Sequence, residues 1–86
     1  MNHLPALYIE AEPADIIEQL PEGTFIGRYD RTKYDISKPA EDQPIWSIRF
    51  FSTPDETTTK TLYPDGRRIP LFVWSKRTEY EYKYAL

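Results

Sequence analysis

The segment "IWSIRFFS" at 45–52 constrains this chain more than any other. Trp46, Ile48 and Phe50 recur at period two, with Ser47 and Arg49 between them. That spacing puts the three apolar side chains on one face of a β-strand and would scatter them around a helix. A strand with one apolar face must find neighbours on both edges and a cover. In a chain of 86 residues the neighbours have to come from short segments set close by in sequence.

Those segments are visible between the prolines. "ALYIEA" at 6–11 reads as a short strand, and "TFIGRYDRTKY" at 24–34 as a strand rich in β-formers, with Phe25, Gly27 and Tyr29 on one face and Ile26 and Arg28 on the other. "TTKTLY" at 58–63 reads as an edge strand, and "PDG" at 64–66 reverses the chain. "RIPLFVWSK" carries apolar residues on both faces over 69–74, which predicts a central strand covered on both sides. In "TEYEYKYAL" the residues Tyr80, Tyr82 and Tyr84 alternate with charged ones, favouring a strand over a helix that would pair Tyr80 with Tyr84. "DISKPAEDQP" at 35–44 reads as the longest loop.

Between the first two strands, "EPADIIEQLPEG" predicts a helix over about 13–20. Pro13 suits the first helical position, Asp15 and Glu18 lie near the positive end of the dipole, and Pro21 closes the segment. The expected architecture is one domain of α+β class, predominantly antiparallel β. The short N-terminal helix packs on a five- to six-stranded curled sheet or half-open small barrel, with a meander over 45–85.

The residue inventory limits the chemistry. With no cysteine and one histidine, His3 near the terminus, the sequence supplies no disulfide framework, thiolate metal site, cysteine nucleophile or histidine pair. The three glycines make no phosphate-cradling loop. The acidic stretches "EDQP" and "PDE" read as solvated loops. No catalytic residue, metal or cofactor is expected. Nor does the start of the chain read as a signal peptide, and no apolar run approaches the roughly 20 residues that span a bilayer. The expectation is a soluble cytoplasmic protein.

The net charge of −3 conceals an asymmetry. Residues 1–30 hold six acidic side chains against one basic, and residues 67–86 hold five basic against two acidic. Either the two ends attract each other within the fold or a dimer, which is the favoured account, or the basic end meets an acidic partner. Aromatic and basic residues interleave in "GRYDRTKY", "IRFF", "VWSKR" and "EYKY". The candidate contact residues are Tyr29, Arg31, Arg49, Trp74, Lys76 and Arg77, joined by Tyr80, Tyr82 and Tyr84, because tyrosine is enriched at interfaces.

The stretch "IWSIRFF…LYPDGRRIPLFVWSKRTEYEYK" resembles the C-terminal half of RNA-cleaving toxins of the RelE/HigB type, where an arginine-bearing strand, a turn, a long apolar strand and a basic pair follow one another. The resemblance implies that Arg49, Lys60, Lys76, Arg77 and Tyr80 would handle RNA. It covers about 40 of 86 residues. The sequence departs from that pattern in its negative net charge and in its single short helix where the family has longer ones.

Two functions follow from the sequence. The first is a non-catalytic interaction protein (an adaptor, an inhibitor or an assembly subunit) that binds a protein partner or a second copy of itself. The alternative is a nucleic-acid-binding protein, with or without RNA cleavage. Because the acidic excess repels phosphate, titration of labelled single-stranded DNA and RNA at physiological salt is expected to give no sub-micromolar binding. Tight binding with a steep salt slope would reverse the order of the two.

Overall fold

The computed structural model describes residues 14–86. Strand β1 (Ile16–Leu20) turns through Pro21 and Glu22 into β2 (Gly23–Tyr29), and the two pair antiparallel from Ile16↔Gly27 to Leu20↔Gly23. Strand β3 (Pro44–Ser52) pairs along the whole of β2, from Gly23↔Ser52 to Tyr29↔Trp46. Strand β4 (Lys60–Pro64) pairs only with the C-terminal end of β3, through Phe50, Phe51 and Ser52. The two-residue β5 (Phe72–Val73) pairs with the N-terminal end of β3, at Pro44 and Trp46, across a register shift. The equally short β6 (Tyr82–Lys83) pairs with β4. Among the described residues the sheet has six strands in the order β1-β2-β3-β4-β6, with β5 beside β3.

The expected helix over 13–20 is not formed, and no helix longer than a 3₁₀ turn occurs among the described residues, so the α+β assignment is corrected to an antiparallel β-sheet. The reason lies in the same residues. A two-turn helix cannot hold itself together in water, so tertiary pairing decides its state. Ile16 and Ile17 are β-branched, and burial alternates strictly along "IIEQL". The hairpin to β2 supplies the segment with ladder partners, and Asp15 N–H extends that ladder to the Gly27 carbonyl at 2.8 Å.

Other boundaries also move. The strand expected at 6–11 lies outside the described residues. β2 stops at Tyr29 because Asp30 turns the chain: its carboxylate accepts from the backbone N–H and hydroxyl of Thr32 at 3.0 and 2.6 Å. Asp35 and Asp55 do the same with Ser37 and Thr57, so three Asp-x-Ser/Thr triplets set three bends. The loop at 35–44 is organised by buried Gln43, whose amide donates to the Asp35 and Lys38 carbonyls and accepts from Asp35 N–H. The central strand expected at 69–74 shrinks to β5, and the chain then enters a 3₁₀ segment, Trp74–Glu79. The C-terminal strand is likewise only β6, and no continuous meander runs from 45 to 85.

These last segments cover one face of the sheet. Phe25, Trp46 and Ile48 of β2 and β3 meet Phe72 of β5 and Trp74 of the 3₁₀ segment, with Ile45 beside them, and Phe50, Tyr80 and Tyr82 pack against this cluster. The Trp74 ring lies 5.5 Å from Trp46 and sits over Gly27. A Cβ at Gly27 would collide with the Trp74 six-membered ring and come within 3.0 Å of Trp46 Cε3. Trp46 also donates its indole N–H to the Ala40 carbonyl at 2.8 Å, tying the 35–44 loop to the core. A smaller cluster, Ile26 and Phe51 with Ala14, lies on the opposite face.

Gly27→Val is expected to cost about 1–3 kcal/mol or more by overpacking, and Trp46→Ala about 3–5 kcal/mol by leaving a cavity. Urea denaturation checks both. A variant at either position with an unchanged midpoint would contradict this account of the core.

Candidate functional site: an arginine-lined depression

The two faces of the sheet differ in chemistry. Alternation sends Phe25, Gly27 and Tyr29 of β2 and Trp46, Ile48 and Phe50 of β3 toward the aromatic core, so Arg28, Ser47 and Arg49 point to the other side. There Arg28 stands opposite Ser47 in the register, and Arg49 stands opposite Ile26. Because β4 and β5 pair with opposite ends of β3, residues 47–49 have no strand partner on that edge among the described residues. The chain between β4 and β5 spans the interval, bringing Arg68 and Pro70 to the same place.

The result is an open depression of about 370 Å³ lined by Arg28, Tyr29, Asp30, Arg31, Ser47, Arg49, Arg68 and Pro70. Four guanidinium groups and one carboxylate line it, in a chain whose net charge is −3. Arg31 is committed: it binds Asp15 at 2.6 and 3.3 Å and lies 4.5 Å over the Tyr29 ring. Its hydrogen bond holds the Asp15 carboxyl below the usual aspartate range, against the opposing effect of burial, and Tyr29 N–H and the Arg28 charge help. Arg68 lies 5.5 Å over the Tyr63 ring. Among the described residues, neither Arg28 nor Arg68 is within ion-pair distance of a carboxylate. The Asp30 carboxylate is turned to Thr32, and those hydrogen bonds hold it below the usual range. Such a site is suited to hold an anion by paired, charge-assisted hydrogen bonds.

Of the nine residues singled out in the sequence, Tyr29, Arg31 and Arg49 line this depression. The other six lie elsewhere. Trp74 is a buried core residue. Arg77 binds Glu18 through two contacts of 2.9 Å, donates to the Trp74 carbonyl and covers the Trp74 ring at 4.9 Å. Tyr80 packs on Phe72, and its hydroxyl accepts from Val73 N–H at 2.9 Å. Tyr82 packs on Phe25 and Phe50 with its hydroxyl buried and unpartnered among the described residues, and burial pushes its pKa up. Lys76 is exposed on the 3₁₀ segment, and Tyr84 is exposed near the C-terminus. Arg49 is thus across the sheet from Lys76, Arg77 and Tyr80, and the row of tyrosines is split between core and solvent.

Arg28 and Arg68 were missed as site residues. The signal for Arg28 was present: it alternates outward in β2 just as Arg49 does in β3, and pairing the two strands brings them together. Arg68 had no such signal, because its position follows from the interval between β4 and β5.

The chain is 33% identical over 63 residues to N-formylglutamate deformylase of Pseudomonas aeruginosa, a stretch that makes up 73% of this chain and 18% of that protein. The chain therefore spans less than a fifth of that relative's length. No protein-family model and no solved structure matches it. Among the described residues no group of three His, Cys, Asp or Glu side chains is placed to hold a metal ion, and no helix is long and apolar enough to cross a membrane.

The Glu18–Arg77 pair joins residues 59 apart in sequence, and its hydrogen bonds hold the Glu18 carboxyl below its ordinary value of 4.5. A carboxylate with a depressed folded-state pKa stabilises the fold above its unfolded pKa, and the contribution is lost as pH falls through the folded value. The melting temperature is therefore expected to fall below about pH 4.5, with a shallower slope in Glu18→Gln. Asp15, Asp30, Asp35 and Asp55, shifted in the same direction, contribute to the slope that remains. Equal slopes in the two proteins, measured by calorimetry at stepped pH, would show that the pair contributes nothing.

Proposed function

We propose that this chain is a non-catalytic interaction module of the cytoplasm, acting as an adaptor, an inhibitor or an assembly subunit, and that it meets a protein partner through the arginine-bearing face of its sheet. The observation that supports this is the division of labour between the faces. Among the described residues, most of the aromatic side chains that a single-stranded nucleic acid would stack on are used up in the core or covered by arginines, which leaves Tyr34 and Tyr84 exposed. The opposite face keeps an open depression with four arginines. The continuous basic groove through Arg49, Lys76 and Arg77 that nucleic-acid binding called for is interrupted by the sheet itself. The likeness to N-formylglutamate deformylase covers too little of that protein to carry its activity across. A cysteine-free chain needs no oxidising compartment to fold, in keeping with a cytoplasmic setting.

The absence of cysteine makes a direct test practical. Ser47→Cys places a unique thiol in the depression, and Ser75→Cys places one on the exposed 3₁₀ segment across the sheet. Each variant, carrying a thiol-linked photo-crosslinker, is irradiated in extract from its native source. Position 47 is expected to give one discrete protein adduct, which mass spectrometry then identifies as a partner or as a second copy of the chain, and position 75 none. No adduct at position 47, or equal adducts at both, would remove the support for this face.

A further inference from the structure

We infer that the depression is an anchor for a short acidic peptide segment, with Arg28 and Arg68 gripping two of its carboxylates on either side of Ser47. The inference rests on the interaction reading above and adds the chemistry of the partner. Arg28 comes from β2, Ser47 from β3 and Arg68 from the connection to β5, so three separately anchored pieces of backbone converge on one place. Arg28 and Arg68 are exposed and hold no carboxylate among the described residues. Their neighbour Arg31 shows what a guanidinium does here when a carboxylate is supplied: it takes Asp15 through both terminal nitrogens. The planar fork of arginine matches a carboxylate at two points, which fixes orientation as well as attraction.

Charge decides between an acidic peptide and a nucleic acid. Screening confines each charge to about 8 Å at physiological salt, so a short acidic segment feels the local arginines. A longer polyanion must also run past the carboxylates that give the chain its net charge of −3. Two nearby rings, Tyr29 and Tyr63, already lie under Arg31 and Arg68; Tyr34, packed on Tyr29, is exposed, and one ring does not make a platform for successive bases. The 370 Å³ depression is of a size to seat two side-chain carboxylates and the peptide between them.

The test is a titration of the isotopically labelled chain with an end-blocked hexaglutamate peptide, followed by amide chemical shifts, with hexauridylate in a parallel arm. Saturable shifts centred on Arg28, Ser47, Arg49 and Arg68 are expected. The double variant Arg28→Gln/Arg68→Gln is expected to weaken binding roughly tenfold. Both side chains are exposed, so the variant is expected to keep the melting temperature of the parent. Shifts centred on Lys76 and Lys83, equal binding by the double variant, or tighter binding of hexauridylate would overturn the inference. So would the absence of saturable shifts, and the wild-type map decides this whatever the variant does. If hexaglutamate leaves the depression untouched while a crosslinker at position 47 still traps a protein, the face is right and the carboxylate chemistry is wrong. If both fail, the interaction reading falls with it.

Discussion

The seat of Trp74 on Gly27 is the contact on which the rest of the structure depends. A sheet with one aromatic face needs a lid, and this chain has no helix among its described residues to provide one. It uses instead a large ring set close against strand backbone, which only a residue without a side chain permits. Once Trp74 is in place, the 3₁₀ segment must begin there. Arg77 is then carried over the ring to Glu18, and Tyr80 and Tyr82 are delivered to the rim. The lid is thus one continuous run of sequence held at its start by shape and farther along by charge.

That arrangement also brings together the acidic and the basic part of the sequence at one point. The acidic early part and the basic late part meet as Glu18 and Arg77, partly shielded and bidentate, the geometry in which an ion pair near the surface contributes most. Of the two accounts of the asymmetry, attraction within the fold is the one this pair exemplifies. Arg28 and Arg68, which hold no carboxylate among the described residues, line the depression on the face that the lid does not cover.

What could be read from the sequence divides along physical lines. The strand at 45–52 was plain because period-two alternation is a local property, and of its inward row Trp46 and Ile48 are buried in the core while Phe50 packs against it. The segment at 16–20 was misread because its proline, acid and apolar spacing serve a helix and a hairpin equally, and the choice was made by β2, a partner that local patterning does not register. Trp74, Arg77 and Tyr82 looked like a binding surface because residues that build an aromatic core and residues that stack on a ligand are of the same types. The depression was half legible: Arg49 was singled out and Arg28 was placed on the correct face of its strand. Arg68 depended on where the connection between β4 and β5 crosses the sheet.

The shared edge of β3 has a consequence for how this fold can vary. β4 and β5 each take their register from β3 directly, one at either end, and not from each other. The stretch joining them can therefore lengthen, shorten or change its residues without sliding either ladder. One wall of the depression is made from that stretch, whereas the floor belongs to strands whose register is locked on both sides. Related chains would be expected to keep the floor and differ in the wall, so that binding preference diversifies by editing a tether while the scaffold beneath it stays the same.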